Sequence, residues 1–209
     1  MIEYHKIKTV WKRDPETKYK TLIEGAWATP EFEYLKDCEW VFTEKVDGTN
    51  IRVMWDHEFG QIQFRGKTDK AQIPPFLLDK LHEIFKVSEF PYVFDDSACL
   101  YGEGYGAKIQ KGGGNYIPNG VDFVLFDVKC GDWWLKRYDV IAIAKRLGVG
   151  VVPIHAIGSL NDMVEIVPEG FESHWGGFQA EGLVARPDIE LKDRSGHRII
   201  TKLKCKDFK

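Results

Sequence analysis

The sequence predicts an α+β domain of mainly antiparallel sheets flanked by helices. Three observations carry this reading. Residues 40–66 form short apolar runs that alternate with polar positions and are separated by turn residues, the pattern of antiparallel strands. Two other stretches switch to helical spacing: Leu77, Leu78, Leu81, Ile84 and Phe85 in one, residues 138–147 in the other. No repeat, low-complexity linker or shift in composition divides the 209 residues. With 44% apolar and 29% charged residues, the composition is that of an ordinary soluble chain able to bury a substantial core.

The elements follow in order. Residues 1–39 are mixed: Thr9-Val10-Trp11 reads as a short strand, residues 13–17 as a turn and residues 19–23 as a returning strand. Trp40-Val41-Phe42-Thr43, Ile51-Arg52-Val53-Met54-Trp55 and Gln61-Ile62-Gln63-Phe64-Arg65 read as three antiparallel strands. Ile73-Pro74-Pro75-Phe76 opens a helix that runs to about Lys86, since proline suits a first helical turn. Tyr92-Val93-Phe94 and Ala98-Cys99-Leu100-Tyr101 read as short strands, and the glycine-rich, polar residues 102–119 as a loop. Residues 122–128 are apolar enough for a central strand, with a short return at Trp133-Trp134-Leu135. Gly148 stops the second helix, and Val151-Val152-Pro153-Ile154 is an edge-type strand because proline cannot donate to a ladder. Ser159 caps a helix through about Ile166, and strands over 181–186 and 198–205 complete the chain.

A net charge of −3 does not by itself mark a polynucleotide binder. Between residues 192 and 209, however, seven basic side chains (Lys192, Arg194, Arg198, Lys202, Lys204, Lys206, Lys209) face two acidic ones (Asp193, Asp207). Such a stripe can hold phosphates, and a solvated C-terminus carries one equally well. Cys38, Cys99, Cys130 and Cys205 stand far apart with no C-x-x-C, which argues against a zinc site or a disulfide framework. No apolar run approaches the ~20 residues of a membrane span. The start lacks a signal peptide's apolar core, so the expected location is cytoplasmic (the host cytoplasm for a viral protein).

Five stretches place polar residues inside or beside apolar strands: Lys45, Asp47 and Asn50; Arg65 and Lys67; Glu103 in Tyr101-Gly102-Glu103-Gly104; Glu181 in Ala180-Glu181-Gly182; and Lys202 with Lys204. Charges flanked by glycine suggest a place where a ligand approaches the backbone closely. Taken singly, each reads equally well as the exposed face of a half-buried strand. Asp47-Gly48 between two apolar runs is a hairpin signal, and a lysine beside a turn is usually solvated.

Taken in order, the stretches resemble the collinear motifs of the covalent nucleotidyltransferase superfamily, which comprises ATP-dependent DNA and RNA ligases and capping guanylyltransferases. Lys45-Val46-Asp47-Gly48-Thr49-Asn50 is similar to K-x-D/H-G-x-N/R, and Phe64-Arg65-Gly66-Lys67, Tyr101-Gly102-Glu103-Gly104, Phe123-Val124-Leu125-Phe126-Asp127, residues 181–186 and Lys202-Leu203-Lys204 follow in the family's order. The wording is closest to the RNA ligase 2-like branch, except that Asp47 is the DNA-ligase letter where that branch often has His. The resemblance implies an ATP-grasp-like, DNA-ligase-type nucleotidyltransferase domain spanning residues 1–209, without the OB-fold or helical domain that relatives add.

It implies an ATP-dependent RNA ligase joining a 5′-phosphate to a 3′-hydroxyl, with ATP and Mg²⁺ (or Mn²⁺) as cofactors. RNA or a nicked duplex would be the partner, an adaptor protein could supply grip, and the chain would be a monomer. Lys45 would be the nucleophile that forms lysyl-AMP. Lys202 and Lys204 would grip the α-phosphate and disfavour the ammonium form of the nucleophile. Glu181 would hold the metal, since a hard cation wants oxygen ligands. Asp47 and Asn50 would order its water shell. Glu103 would bond the ribose and Glu44 the base edge. Phe126 would stack on adenine, or else simply pack in the core. Arg65 would lie at the ribose and the accepting strand end. Lys67 would touch the polynucleotide. Apart from the resemblance, the three glycines and two lysines of Lys108-Ile109-Gln110-Lys111-Gly112-Gly113-Gly114 suit a phosphate backbone that Lys108 and Lys111 would touch, although a mobile surface loop is the stronger reading there. The alternatives are the same chemistry on nicked DNA, a binding module without turnover and, last, a capping guanylyltransferase.

Overall fold

The computed structural model describes residues 3–208. Met1 and Ile2 of the start and Lys209 of the basic stripe lie outside the described residues. In chain order the elements are β1 (Lys8–Thr9), β2 (Trp11–Arg13), β3 (Leu22–Trp27), α1 (Pro30–Tyr34), β4 (Trp40–Glu44), β5 (Thr49–Asp56), β6 (Gln61–Gly66) and α2 (Pro75–Ile84). Then come a 3-10 turn (Val87–Tyr92), β7 (Ala98–Gly106), α3 (Gly113–Tyr116), β8 (Val121–Cys130), β9 (Trp133–Trp134) and α4 (Arg137–Arg146). β10 (Gly150–Val151), β11 (Ile154–Gly158), α5 (Leu160–Glu169), β12 (Gly182–Pro187), β13 (Thr201–Lys204) and a 3-10 turn (Cys205–Phe208) finish the chain.

These elements form two compact units. The first comprises residues 3–5 and 47–152. Its sheet runs β10-β8-β7-β5-β6, with β9 on β8, and is antiparallel except for β10 beside β8. Leu77 and Leu81 of α2, and Val140 and Ala144 of α4, share a core with Ile51, Val53 and Trp55 of β5 and with Phe123 and Leu125 of β8. Their i, i+4 spacing is what lets each helix lay one apolar stripe on the sheet.

The second unit comprises residues 6–46 and 153–208. Its sheet runs β1-β13-β12-β4-β11, antiparallel except for β1 beside β13, and β2 pairs separately with β3. Helix α5 starts at a reciprocal cap: the Ser159 hydroxyl accepts from the Asp162 N–H, and the Asp162 carboxylate accepts from the Ser159 N–H. Its Leu160, Met163 and Val167 are fully buried against Trp40, Phe42, Leu183 and Leu203. Each such side chain contributes roughly 1.5–3 kcal/mol by leaving water.

Several expectations need correction. The Trp40 and Ile51 runs are not hairpin partners: β4 lies between β12 and β11, while β5 lies between β7 and β6. Alternation reveals a strand but not its neighbour. The loop expected over 102–119 is regular over half its length, because β7 continues to Gly106 and α3 covers 113–116. Gly102 is in that strand for packing: a Cβ there would lie 2.1 Å from the Phe123 ring. Residues 92–94 form no strand; Tyr92 ends a 3-10 turn in which Pro91 has no N–H to offer a ladder. Residues 151–154 split around Pro153 into β10 and β11, which belong to different sheets. Helix α1, at five residues, is too short to show a period. No helix among the described residues is long and apolar enough to cross a membrane.

Candidate active site

In the second unit, β4, β12 and β13 set up a lateral row. Leu183 of β12 faces Glu44, and Gly182 faces Lys204. The Lys45 N–H donates to the Gly182 carbonyl at 2.9 Å, which carries the ladder one residue past β4. The row therefore reads Lys45, Gly182, Lys204. Only glycine fits its middle: Gly182 has φ 153°, and a Cβ there would lie 2.1 Å from the Leu203 carbonyl oxygen.

Glu181, immediately before β12, joins the two lysines. Lys45 Nζ lies 2.5 Å from Oε2 and Lys204 Nζ 2.6 Å from Oε1, with side chains 21%, 11% and 21% exposed for Lys45, Glu181 and Lys204. One carboxylate thus accepts from two cations in a partly dry setting. Burial alone would raise the Glu181 pKa; the Lys45 charge and the Lys204 and Lys45 hydrogen bonds outweigh it and hold the carboxyl below the usual range. Lys202 shares a strand face with Lys204, while Leu203 between them and Thr201 before them are buried.

Glu44 belongs to the opposite face. Its neighbours there, Phe42 and Trp40, pack with α5. Its buried carboxylate accepts from the Ser173 hydroxyl (2.6 Å) and the His174 N–H (2.8 Å), so it ties down the segment that leads to Glu181. The His174 ring meets His155 edge-on at 5.7 Å, and His155 lies 4.2 Å from the Phe171 ring. Burial, helped by the His174 charge and opposed by Glu44, keeps the His155 pKa low. Ser173, His155 and His174 carry no signal in the letters, because only the folded loop brings them to Glu44.

The other expected residues belong to the first unit. The Asp47 N–H donates to the Tyr116 hydroxyl (3.1 Å), and the Gln110 amide donates to the Gly48 carbonyl (3.0 Å). The glycine-rich stretch is thereby pinned to the turn that follows the lysine. Lys108 and Lys111 on it are exposed. Asn50 on β5 faces Glu103 on β7, and the Asn50 Oδ1 is buried without a protein partner. Phe126 sits at a bulge, where the β7–β8 register slips between Tyr101 and Gly102. A bulge re-aims a side chain, and Phe126 stays half-buried and outside the core cluster. Tyr4 backs its ring edge-on at 5.0 Å while donating to Asp127 at 2.6 Å. Arg65 and Lys67 are exposed; the Arg65 guanidinium donates to the Phe64 carbonyl. Tyr4, Gln110 and Tyr116 were not singled out in the sequence, since isolated tyrosines and glutamines carry no pattern.

A family model described as RNA ligase matches residues 38–204, a span that includes every residue of the Lys45–Glu181–Lys204 bridge. The chain belongs to the RNA ligase family. Solved structures of Naegleria gruberi RNA ligase share its fold. A variant with ATP and Mn is 19% identical, with a TM-score of 0.71 over 97% of this chain and 56% of that one. The protein with PPi is 20% identical, with a TM-score of 0.69 over 96% and 56%. A second variant with ATP and Mn is 20% identical, with a TM-score of 0.69 over 86% and 52%. The chain thus spans about half the length of these ligases. No curated protein matches it. Within the family frame, all of the motif-bearing residues from Glu44 to Lys204 fall inside the matched segment, whereas the β2–β3 hairpin precedes it.

Proposed function

We propose that this chain is an ATP-dependent RNA ligase that works through lysyl-AMP at Lys45. The observation that supports it most is the Lys45–Glu181–Lys204 bridge. It places a primary amine and a second cation on one carboxylate, inside the segment that matches the RNA ligase family.

The chemistry follows from what each group can do. Lys45 Nζ forms a bond to the α-phosphorus of ATP, the bond to the bridging oxygen breaks, and pyrophosphate leaves with that electron pair. Paired with Glu181 as an ammonium, Nζ has no lone pair to attack with, so it must first give up one proton, to that carboxylate or to water, and it gives a second to water as the phosphoramidate forms. Lys204, on the other carboxylate oxygen, and Lys202 on the same strand face then stabilise charge on the phosphate. Next, a 5′-phosphate oxygen displaces Lys45 and takes the AMP. Finally a 3′-hydroxyl attacks that 5′-phosphorus, AMP leaves, and a phosphodiester remains.

A divalent ion would be held by Glu181, and when bound it would neutralise that carboxylate and polarise the phosphate. The donor set fits, because Mg²⁺ is ordinarily bound by one or two carboxylates with phosphates and water. Among the described residues, no cluster of three or more His, Cys, Asp or Glu could cage a metal alone. Phe126, re-aimed by its bulge and backed by Tyr4, offers a face for adenine, and Glu103 offers acceptors for the ribose. Asn50 carries an unpartnered Oδ1, and the family resemblance gives it, with Asp47, the role of ordering an ion's water shell. Arg65, Lys67, Lys108 and Lys111 supply exposed charge for a polynucleotide. Glu44 acts through Ser173 and His174, by holding the segment that precedes Glu181.

The test is incubation with α-³²P-labelled ATP or GTP and Mg²⁺, followed by denaturing electrophoresis. Label from ATP should stay on the wild type and be lost in Lys45→Ala; equal label on both would refute the reading. Sealing of matched RNA and DNA nicks then decides the polymer, which Asp47, the DNA-ligase letter, leaves as the open comparison.

A further inference from the structure

The β2–β3 hairpin lies outside the family-matched segment and has no part in the chemistry above. Its connecting loop holds two consecutive non-glycine residues in the left-handed region, Lys18 (φ 55°) and Tyr19 (φ 61°). The Lys20 N–H donates to the Thr17 carbonyl at 3.3 Å and closes a four-residue turn around them. A turn with both central residues left-handed favours Asn-Gly, and a bulky side chain there is a true outlier.

The loop is nevertheless built. The Arg13 guanidinium donates to the carbonyls of Tyr19 (3.4 Å) and Lys20 (3.1 Å), and the Tyr19 N–H donates to the Asp14 carbonyl (2.8 Å). Arg13 is itself paired with Asp207 at 3.0 Å, and Trp11 meets Phe208 edge-on at 6.0 Å. Asp207 and Phe208 lie in the 3-10 turn directly after Lys204. The hairpin is therefore moored to the end of the strand that carries Lys202 and Lys204. What it displays is the Tyr19 ring, 63% exposed, between two exposed lysines, with Lys12, Lys8 and Lys6 also exposed along the approach.

We propose that this hairpin is a platform for single-stranded polynucleotide. Tyr19 stacks on an unpaired base, and Lys18 and Lys20 meet the phosphates on either side. An aromatic face between cations suits a single strand because every base offers a π-face and every linkage a charge, whereas a duplex hides its base faces. Local geometry that departs from the easiest turn sequence, yet is held by a dedicated arginine, is where a display function is to be sought. The proposal extends the ligase reading to substrate grip but is measured without turnover.

The experiment is fluorescence anisotropy with a labelled oligouridylate of about 12 nucleotides, enough for a few stacked bases, at about 50 to 200 mM salt without ATP. Tyr19→Ala should weaken binding about tenfold and Tyr19→Phe should keep it, because stacking needs the ring and not the hydroxyl. Lys18→Ala/Lys20→Ala should flatten the slope of log K against log salt by about 1.4, roughly 0.7 for each phosphate on a single strand. Tyr19→Gly should lose as much affinity as Tyr19→Ala with Tm unchanged or raised, since glycine relieves the turn. Unchanged affinity and slope in these variants, or equal loss on duplex and single strand, would overturn the platform. Absence of label transfer from ATP to the wild type would overturn the ligase reading while leaving the anisotropy result to stand alone.

Discussion

The Lys45–Glu181–Lys204 bridge makes a quantitative forecast through a double-mutant cycle. In Lys45→Ala the Glu181 carboxylate keeps Lys204 on Oε1; in Lys204→Ala it keeps Lys45 on Oε2. Each single change removes one charge-assisted hydrogen bond from a site with partly exposed lysines, a cost of about 1 kcal/mol. The double variant leaves a carboxylate that is 11% exposed in the wild type with neither cation. An uncompensated buried charge costs about 3–5 kcal/mol. The cycle should therefore exceed additivity by about 2 kcal/mol.

The pH response provides a second check. In the wild type the Glu181 pKa is lowered from 4.5, so its contribution is complete above the unfolded value and is lost as pH falls through the folded one. Nothing should change on its account between about pH 7 and about pH 5. Without the lysines, burial, which is the largest of the influences on Glu181, acts alone and raises the folded pKa above 4.5. The group then penalises folding at neutral pH, and the penalty shrinks as pH falls toward the folded value. The double variant should recover part of its deficit near pH 5 while the wild type does not. Urea midpoints at both pH values, with m-values held constant, measure both effects. Additivity within about 0.5 kcal/mol, together with parallel pH responses, would refute the claim that one buried carboxylate couples the two lysines.

Two further outcomes follow from local geometry. Tyr116→Phe keeps the ring but removes the acceptor for the Asp47 N–H; hydrogen exchange at the Asp47 amide should speed up about tenfold, near the 1.4 kcal/mol top of a neutral hydrogen bond's net worth, and an unchanged rate would deny the latch. Burial pushes the Cys99 thiol from 9.0 to about 11, which leaves roughly a hundredfold less thiolate at mildly alkaline pH. Iodoacetamide on the native protein should thus modify exposed Cys38 first and Cys99 only on unfolding, as peptide mapping would show.

Much of this was legible in the letters, for identifiable reasons. Apolar runs bounded by turn residues marked β4, which is buried at every position, and β5, alternation marked β6, and helical spacing with Pro75 marked α2, because each pattern reflects which faces are buried. Lys45, Glu181 and Lys204 stood out because they fall in the order of the family's motifs; taken singly each reads as well as a solvated strand position, and in the fold each charge compensates another. Partners were not legible. Whether β4 pairs with β5 or with β12 depends on contacts more than a hundred residues away, and no local period encodes them. Composition misled where glycine serves packing: Gly102 and Gly104 belong to a strand, though Gly102 to Asn119 looks like a loop.

Glu44 shows what a strand adds to a motif. It is next to Lys45 in sequence, and the resemblance places it at the base edge of the same nucleotide. A strand alternates, however, so adjacent residues serve opposite faces. Lys45 joins the row with Gly182 and Lys204, while Glu44 turns to the face packed by α5 and accepts from Ser173 and His174. Those two residues begin the loop that returns the chain to Glu181, the partner of Lys45. The two neighbours thus meet the same site by different routes: Lys45 through its own amine, and Glu44 by fixing the segment that delivers the carboxylate.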